Sequence, residues 1–314
     1  MLATRFSRVA AVACSTVVGL GLVGCGSPAH SAGSSASPAS APSTQRTVPS
    51  PSVASPSPTR CAVTTAPGFS CLMQQRISEA QRYLATQPGH IGIVLYDRTS
   101  RATWRNVDAS TDFPAASTIK LAMVLDLMLR NRAGSIQLDA GDWDLIGDIL
   151  SESSDTAADQ LWGQFEDSSF LSRIHAFGMA GTYFTTSPAY WGFMYCSAQD
   201  LDNLMNYILN DAPATVSAYI TSRMRQVAPI QQWGVWGAGP ANQPGNKDGW
   251  EDDSGTWIVN TVGFAGSRAR YSLAVMDDLA GTADFHQGTE TLDQISALLF
   301  QGRFGPEPTI EATP

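Results

Sequence analysis

The chain alternates between hydrophobic patterns typical of helices and of strands. Between Leu72 and Gln87 apolar residues recur at helical spacing, which predicts an N-terminal helix. The stretch HIGIVLYDRTSRATWRN alternates apolar and polar positions around a turn near Thr99, which predicts a β-hairpin. A block of helices follows, predicted at 117–131, 139–151, 155–166, 168–178, 198–210 and 213–226.

After Trp250 the pattern returns to strands, TWIVNTVGFAG and RYSLAVMDD, and a last helix is predicted from Phe285 to Phe300. Strands from both ends of the sequence with helices between them indicate one antiparallel sheet assembled from the two ends. The predicted fold class is therefore mixed α/β (α+β), with helices flanking this sheet and a separate all-helical lobe formed by the middle of the chain.

The N-terminal residues predict export. Residues 1–24 have a positive start, Arg5 and Arg8, and then an apolar run that is too short for a comfortable membrane span. The run ends in LVGC, which matches the bacterial lipobox and predicts a lipid on Cys25. Such a lipid would anchor the exported protein to the outer face of the bacterial membrane. An ordinary signal peptide that contains a cysteine is the alternative.

Composition divides the rest of the chain. Residues 25–60 are rich in Ser, Pro and Ala with almost no large apolar residue, which predicts a disordered stalk. The whole chain is 43% hydrophobic and contains eight Trp, so the remainder has enough apolar material for a sizeable core. We expect one folded domain at 61–303 and a disordered tail at 304–314.

Charge and cysteine usage exclude several classes of function. The net charge of −9 becomes −11 without residues 1–24, so a nucleic-acid partner is not expected. An exported location permits a disulfide, and Cys61 with Cys71 would close a short loop at the start of the domain. Cys196 is expected to be a buried free thiol. The absence of a Cys-x-x-Cys or a histidine pair argues against zinc, and no metal or other cofactor is predicted.

The candidate chemistry lies around the two lysines of a chain that has seventeen arginines. Ser117 and Lys120 stand three residues apart at the start of a predicted helix, which places both side chains on one face. A serine is a weak nucleophile unless a base takes its proton, and a buried lysine, unlike an arginine, can be that base. The small and apolar residues of FPAASTIK predict a buried helix start, where an idle lysine would be costly.

Two further clusters follow along the chain, and each has an ordinary structural explanation. SESSDTAAD, which contains Ser153 and Asp155, could simply cap the next helix. NKDGW contains Lys247, Asp248 and Gly249, and could be a turn before a strand. All three clusters occurring together and in this order favour a shared catalytic site instead.

In these motifs the sequence resembles the penicillin-recognising serine enzymes, which are the class A β-lactamases and the penicillin-binding proteins. Their signatures are Ser-x-x-Lys, then Ser-x-Asn, then Lys-Thr-Gly or Lys-Ser-Gly. Here ASTIK matches the first, SSDTAAD resembles the second, and KDG keeps the lysine and glycine of the third. The resemblance spans about residues 72–303, and WG before KDGW and a later TWIVN are similar to secreted class A-like hydrolases of actinobacteria.

The resemblance implies a role for each matching residue and a β-lactamase/transpeptidase-like fold. Ser117 would be the acylated nucleophile, Lys120 its base, and Ser153 the relay of a proton to the leaving group. Lys247 would bind substrate and set the local field, while backbone near Ser117 and on the C-terminal strand would form the oxyanion hole. The implied substrate is a small molecule or peptide of cell-wall type.

Three departures from the family pattern change these expectations. The stretch GTYFTTSPAYWGFMYC contains no Asp or Glu where class A enzymes carry the Glu that activates the deacylating water, so efficient β-lactam hydrolysis is not expected. The resemblance implies that Asp155, Asp248 and Gly249 bind the substrate. Asp155 replaces an amide that donates near the acyl side chain, and Asp248 replaces a hydroxyl that contacts the substrate carboxylate. An ionised Asp248 in that place would repel such a carboxylate by about 1 to 4 kcal/mol, so Asp248→Thr is expected to increase acylation by a penicillin.

A further departure is Trp257, which stands where relatives often have an arginine for the same carboxylate. A histidine-based triad is disfavoured because the four histidines are scattered and no Gly-x-Ser-x-Gly is present. The remaining alternative is a decayed domain of this fold that serves as a binding or scaffold module in the cell envelope. The retention of Lys120 and Lys247 favours the enzyme.

Overall fold

The computed structural model describes residues 66–253, 255–279, 281, 284–303 and 305. The predicted signal peptide, Cys25, the stalk and Cys61 lie outside these residues, as does the predicted tail apart from Gly305. The domain limits predicted from composition therefore stay predictions.

A five-stranded antiparallel sheet joins the two ends of the domain. Its order is β2-β1-β8-β7-β6, with every neighbouring pair antiparallel. The strands are β1 (His90–Asp97), β2 (Ala102–Arg105), β6 (Gly245–Asp253), β7 (Thr256–Ala265) and β8 (Tyr271–Asp278). The antiparallel sheet built from both ends of the sequence is confirmed.

Two terminal helices cover one face of this sheet. Helix α1 (Cys71–Leu84) begins where the Ser70 side chain accepts a hydrogen bond from the Met73 amide, and it packs against α8 (Phe285–Gln301). The core on this face includes Ile77, Trp233 and Leu292. Because the strands alternate, this core takes every second side chain of β1, β7 and β8.

The middle of the chain forms the helical lobe on the other face. Its helices are α2 (Ile119–Arg132), α3 (Ala140–Ser151), α4 (Asp155–Phe165), α5 (Phe170–His175), α6 (Ala198–Asn210) and α7 (Ala214–Met224). Helix α2 is its centre, because ten consecutive residues from Ile119 to Met128 are buried. The six predicted helices are all present, although α5 and α7 are shorter than their patterns indicated.

A small second sheet joins the lobe to the start of α2. Strands β3 (Phe113–Pro114), β5 (Met194–Cys196) and β4 (Tyr183–Phe184) pair in the order β3-β5-β4. The Ala115 amide continues this pairing with a 2.8 Å hydrogen bond to the Met194 carbonyl. The segment just before Ser117 is therefore held against β5, an arrangement that the sequence pattern did not indicate.

Candidate active site

Ser117 lies in a tight turn that leads into α2. Residues Ala116–Thr118 form one turn of 3₁₀ helix, and Ala116 has a φ of +46°, in the left-handed region that favours glycine. Such a backbone conformation costs about 1–3 kcal/mol and persists only where neighbouring contacts impose it. One such contact comes from Asn260 on β7, whose amide nitrogen donates to the Pro114 carbonyl at 2.9 Å. Ser117 is half-buried, while its neighbours on both sides are buried.

Lys120 lies one turn further along and points back to Ser117. Its Nζ donates to Ser117 Oγ at 2.9 Å and to the Ser153 carbonyl at 2.7 Å, and it forms an ion pair with Asp155. The Lys120 side chain has no exposed surface. Burial lowers the pKa of Lys120, and the hydrogen bond and charge of Asp155 oppose that decrease. A lysine in this position can lose its proton more readily than one in water.

Ser153 lies between the two lysines. It occupies the short connection from α3 to α4 with a φ of +60°, and it is 7% exposed. Its carbonyl accepts from Lys120, and its hydroxyl accepts a 2.7 Å hydrogen bond from Lys247 Nζ. One residue therefore links both amines through different atoms.

Lys247 is fully buried on β6. Besides Ser153 Oγ, its Nζ donates at 2.7 Å to Gln231 Oε1 and at 2.7 Å to the Asp248 carbonyl. Burial holds the pKa of Lys247 well below its ordinary value, and the charge of Lys120 lowers it further. The structure thus brings Ser117, Lys120, Ser153 and Lys247 into one hydrogen-bonded run.

Gly249 brings β6 close to the nucleophile turn. A Cβ on residue 249 would lie 2.6 Å from the Thr118 nitrogen and 2.8 Å from the Ser117 nitrogen. Only glycine permits this approach of a strand to two backbone amides. The third motif lies inside β6 and is not a turn before a strand, because β6 already begins at Gly245.

Asp155 is placed on Lys120, where the sequence analysis expected a contact with the substrate. It is the first residue of α4, after the helix cap formed by Ser154, whose hydroxyl accepts from the Ala157 amide at 3.2 Å. Its side chain is 74% exposed, although it pairs with a lysine that is fully buried. The carboxylate therefore lies at the open edge of the site.

The placement of Asp248 differs from the expectation that its carboxylate faces a substrate. Adjacent residues of a strand point to opposite faces, so Asp248 points away from the side occupied by Lys247. Its carboxyl is buried, where it accepts a 2.6 Å hydrogen bond from the Thr261 hydroxyl and a 2.6 Å hydrogen bond from the Asn246 amide. Burial raises the pKa of Asp248 to about 8. The expectation that Asp248 repels a substrate carboxylate is therefore wrong.

The segment 181–196 closes the site with an aromatic wall. The Trp191 ring centroid lies 4.5 Å from Lys120 Nζ. Asp159, one turn after Asp155 on α4, accepts hydrogen bonds from the Tyr190 hydroxyl at 2.6 Å and from Trp191 Nε1 at 2.9 Å. No Asp or Glu occurs in this segment. The indole of Trp191 therefore covers Lys120 on the side of this segment.

Gln231 is a site residue that the sequence analysis missed. Its Oε1 accepts from Lys247 and from the Asp248 amide, while its Nε2 donates to the carbonyls of Leu150 and Ser151 at the end of α3. It connects β6 to the α3–α4 connection and is fully buried. Gln231 is followed by a second glutamine, Gln232, between apolar residues, and nothing in this stretch distinguishes it as a contact of Lys247.

Two cysteines, Cys71 and Cys196, lie among the described residues. Cys71 is disulfide-bonded, while the pairing with Cys61 stays a prediction because Cys61 lies outside the described residues. Cys196 is a buried free cysteine, as expected. Within the described ranges, no group of three or more His, Cys, Asp or Glu side chains is arranged to hold a metal ion.

Comparisons with known proteins place this geometry in a structural class. Residues 75–141, which include Ser117 and Lys120, match the family model described as the beta-lactamase enzyme family. The penicillin-binding protein PBP-A has a similar structure, with a TM-score of 0.61 and 19% identity over 74% of this chain and 96% of PBP-A. A class A β-lactamase of Mycobacterium abscessus matches with a TM-score of 0.60 and 17% identity, over 72% and 98% of the two chains. The predicted resemblance is confirmed, and the chain has the β-lactamase/transpeptidase-like fold.

A curated relative adds a second kind of information. LppW of Mycobacterium tuberculosis, a lipoprotein by name, is 24% identical over 233 residues, which cover 69% of this chain and 74% of LppW. The corresponding sequence of Mycobacterium bovis matches to the same extent. None of the helices among the described residues is long and apolar enough to cross a membrane.

Proposed function

We propose that this chain is a cell-envelope serine hydrolase or acyl transferase that forms a covalent acyl-enzyme on Ser117. The observation that carries the proposal is the hydrogen-bonded run from Ser117 through Lys120 and Ser153 to Lys247. A serine, two buried lysines and a relay hydroxyl in contact are the groups that acyl transfer needs.

The chemistry begins with the attack of Ser117 Oγ on a carbonyl carbon. Lys120 Nζ, 2.9 Å away, accepts the hydroxyl proton, and its lowered pKa favours the neutral amine that this step requires. The developing oxyanion is stabilised by the backbone amide of Ser117 and by the β6 backbone, which Gly249 brings close.

The leaving group then receives its proton from the other side of the site. Ser153 Oγ, which is hydrogen-bonded to Lys247, donates this proton. As Ser153 Oγ gives up its proton, Lys247 Nζ replaces it through their hydrogen bond, because the buried ammonium of Lys247 is costly to keep charged. The carbonyl carbon is then esterified to Ser117.

Substrate preference follows from the charged groups that are present. The sequence has Trp257 at the position where relatives often carry an arginine for a carboxylate, and its ring packs against Phe285 of α8. This difference disfavours penicillin-like and D-alanine-ended substrates. An uncharged ester, amide or non-acidic peptide of cell-wall type fits the site better. Without a carboxylate on the segment 181–196, we expect slow hydrolysis of any β-lactam acyl-enzyme.

Labelling experiments test this function. The purified domain is incubated with a fluorescent penicillin and with p-nitrophenyl acetate, and the intact mass is measured for the wild type, Ser117→Ala and Lys120→Met. A single adduct in the wild type, absent from Ser117→Ala, supports the enzyme. If no reagent labels the wild type, the site is inactive and the domain is a binding module.

The envelope location is a separate part of the proposal. It rests on the lipobox at Cys25 and on the name of the relative LppW. Wild type and Cys25→Ser are expressed in an actinobacterial host with a clickable fatty acid. We expect label and membrane association in the wild type alone, and equal release of both variants into the medium would overturn the anchor.

A further inference from the structure

A carboxylate from the start of α4 contacts the lysine of the proposed site. Asp155 forms an ion pair with Lys120 Nζ, and the same nitrogen donates to Ser117 Oγ at 2.9 Å. One amine therefore separates the carboxylate from the nucleophile. Two hydrogen bonds that meet at one nitrogen keep their outer atoms within about 5.6 Å of each other, which is close enough for a single water to bridge them.

Solvent can reach this carboxylate and not the opposite side of the amine. The Asp155 side chain is 74% exposed, whereas the Trp191 ring, itself buried, covers Lys120 from the segment 181–196. A water that attacks an acyl group on Ser117 therefore enters from the side of Asp155.

The other carboxylate near Lys120 is already engaged. Asp159 accepts the hydroxyl of Tyr190 and the indole N–H of Trp191 on one oxygen, and it holds the aromatic wall in place. Asp155 makes no such contact with the wall in the described part of the chain. Its position in the first turn of α4 also suits a negative charge, because a helix N-terminus is the positive end of the helix dipole.

We propose that Asp155 is the general base that activates water to hydrolyse the Ser117 acyl-enzyme. The inference rests on the proposed function. Asp155 takes a proton from the water as the water oxygen bonds to the acyl carbon. The bond from that carbon to Ser117 Oγ then breaks, and Oγ takes back a proton that Lys120 relays from Asp155. The product leaves as a carboxylic acid, and the serine hydroxyl is restored.

This base discriminates between two kinds of acyl donor. Ser153, the proton donor to the leaving group, lies two residues before Asp155 on the same connection to α4. The leaving group of an acyclic ester or amide diffuses away, so water can enter on the side of Ser153 and Asp155. The leaving group of a β-lactam stays attached through the opened ring and blocks water on that side. The enzyme therefore turns over acyclic donors and is held as an acyl-enzyme by penicillins.

The test compares turnover of p-nitrophenyl acetate with the fraction of Ser117 that carries an acetyl group at steady state. Asp155→Asn keeps the size of the side chain and removes the base. We expect turnover to decrease about 100-fold or more, within the range for loss of a general base, while nearly all Ser117 becomes acetylated. Glu79→Gln is the control, since Glu79 lies on α1, where its side chain accepts a hydrogen bond from Gln75.

A second variant separates chemistry from structure. In Asp155→Ala, added sodium formate supplies a small carboxylate, and we expect it to restore turnover at least tenfold. Turnover of Asp155→Asn within threefold of the wild type overturns the inference, as does an Asp155→Asn enzyme whose Ser117 is no longer acetylated. If formate has no effect on an acetylated Asp155→Ala enzyme, the inference also fails. Absence of Ser117 acetylation in every variant, wild type included, contradicts the proposed function itself.

Discussion

Gly249 on β6 and Ser117 at the start of α2 are in backbone contact, so close that a Cβ on residue 249 would lie 2.8 Å from the Ser117 nitrogen. The two residues are far apart in sequence, and their contact joins the C-terminal strands to the helical lobe at the nucleophile. The packing of a strand against a helix start thus defines the width of the cleft.

Gly249→Ala is expected to push β6 away from the nucleophile turn. The neighbours are backbone atoms that cannot rotate aside, so we expect a loss of about 1–3 kcal/mol in the free energy of unfolding. Acylation of Ser117 should slow about 100-fold, because a displacement of about 1 Å is enough for such a loss. Urea unfolding and the rate of adduct formation measure the two effects.

The matched control is Gly163→Ala, in the interior of α4. A Cβ there meets nothing within 4 Å, so this variant should be about 0.5–1 kcal/mol more stable than the wild type and react normally. If both glycine variants behave alike, the close approach at Gly249 has no functional consequence.

Lys120→Met tests whether the amine is the base. Methionine fills the same buried volume without a proton acceptor, and we expect acylation to decrease about 100-fold to 10,000-fold. Lys120→Arg should lose activity to a similar degree, because an arginine keeps the charge and cannot be deprotonated. Stopped-flow acylation by p-nitrophenyl acetate gives the rates, and an active Lys120→Arg enzyme would exclude the proposed proton transfer.

Asp248→Asn should leave acylation within about twofold of the wild type, because the carboxyl is buried away from the cleft. Its effect is on stability. The pKa of Asp248 is about 8 in the folded state and about 3.9 in an unfolded chain, so the folded state holds a proton that the unfolded state has released. Wild-type stability therefore loses up to about 1.4 kcal/mol per pH unit from this group between pH 4 and 8.

Denaturation curves of the wild type and Asp248→Asn between pH 4 and 8 show whether the unfolding free energy of the wild type decreases with pH. The asparagine variant should become more stable relative to the wild type as the pH rises, and the difference should level off above pH 8. If the difference in unfolding free energy between the two proteins does not change with pH, Asp248 does not titrate in this range. If Asp248→Asn loses most of its acylation activity, Asp248 belongs to the substrate site after all.

Asp159→Ala should loosen the aromatic wall over Lys120. The change leaves the Tyr190 hydroxyl and the Trp191 indole N–H without their acceptor, which we expect to cost about 1–3 kcal/mol. Hydrogen exchange of the amides in 181–196 should become faster. Asp148→Ala, at an exposed position on α3, is the control. Equal exchange rates in the two variants would mean that Asp159 does not hold the segment 181–196 in place.

The sequence predicted the large elements because their patterns are long. The runs of apolar, β-branched and aromatic residues in β7 and β8 and the helical spacing of α1 and α8 identify them without tertiary information. Strands β3, β4 and β5 are two or three residues long, too short for any period to be recognised. They exist because neighbouring segments supply their hydrogen-bond partners.

The candidate site was predictable where motif residues lie close together in sequence, as Ser117 and Lys120 do. Lys247 was assigned to the site only through the motif resemblance. Its position inside β6 was not predicted, because Asn246, Lys247 and Asp248 are polar residues that are buried by bonding to one another and to Gln231. A polar run of this kind is typical of a surface turn. The pairing of Asp155 with Lys120, across 35 residues, likewise depends on how α4 packs beside α2.

The most direct test of the central claim is to locate the adduct by peptide mapping. The domain is acylated with p-nitrophenyl acetate, quenched with acid, digested, and sequenced by tandem mass spectrometry beside Ser117→Ala. The account predicts a modified serine at 117, in the peptide that contains Lys120, and no modification in the variant. An adduct on any other residue, or labelling that persists in Ser117→Ala, would contradict it.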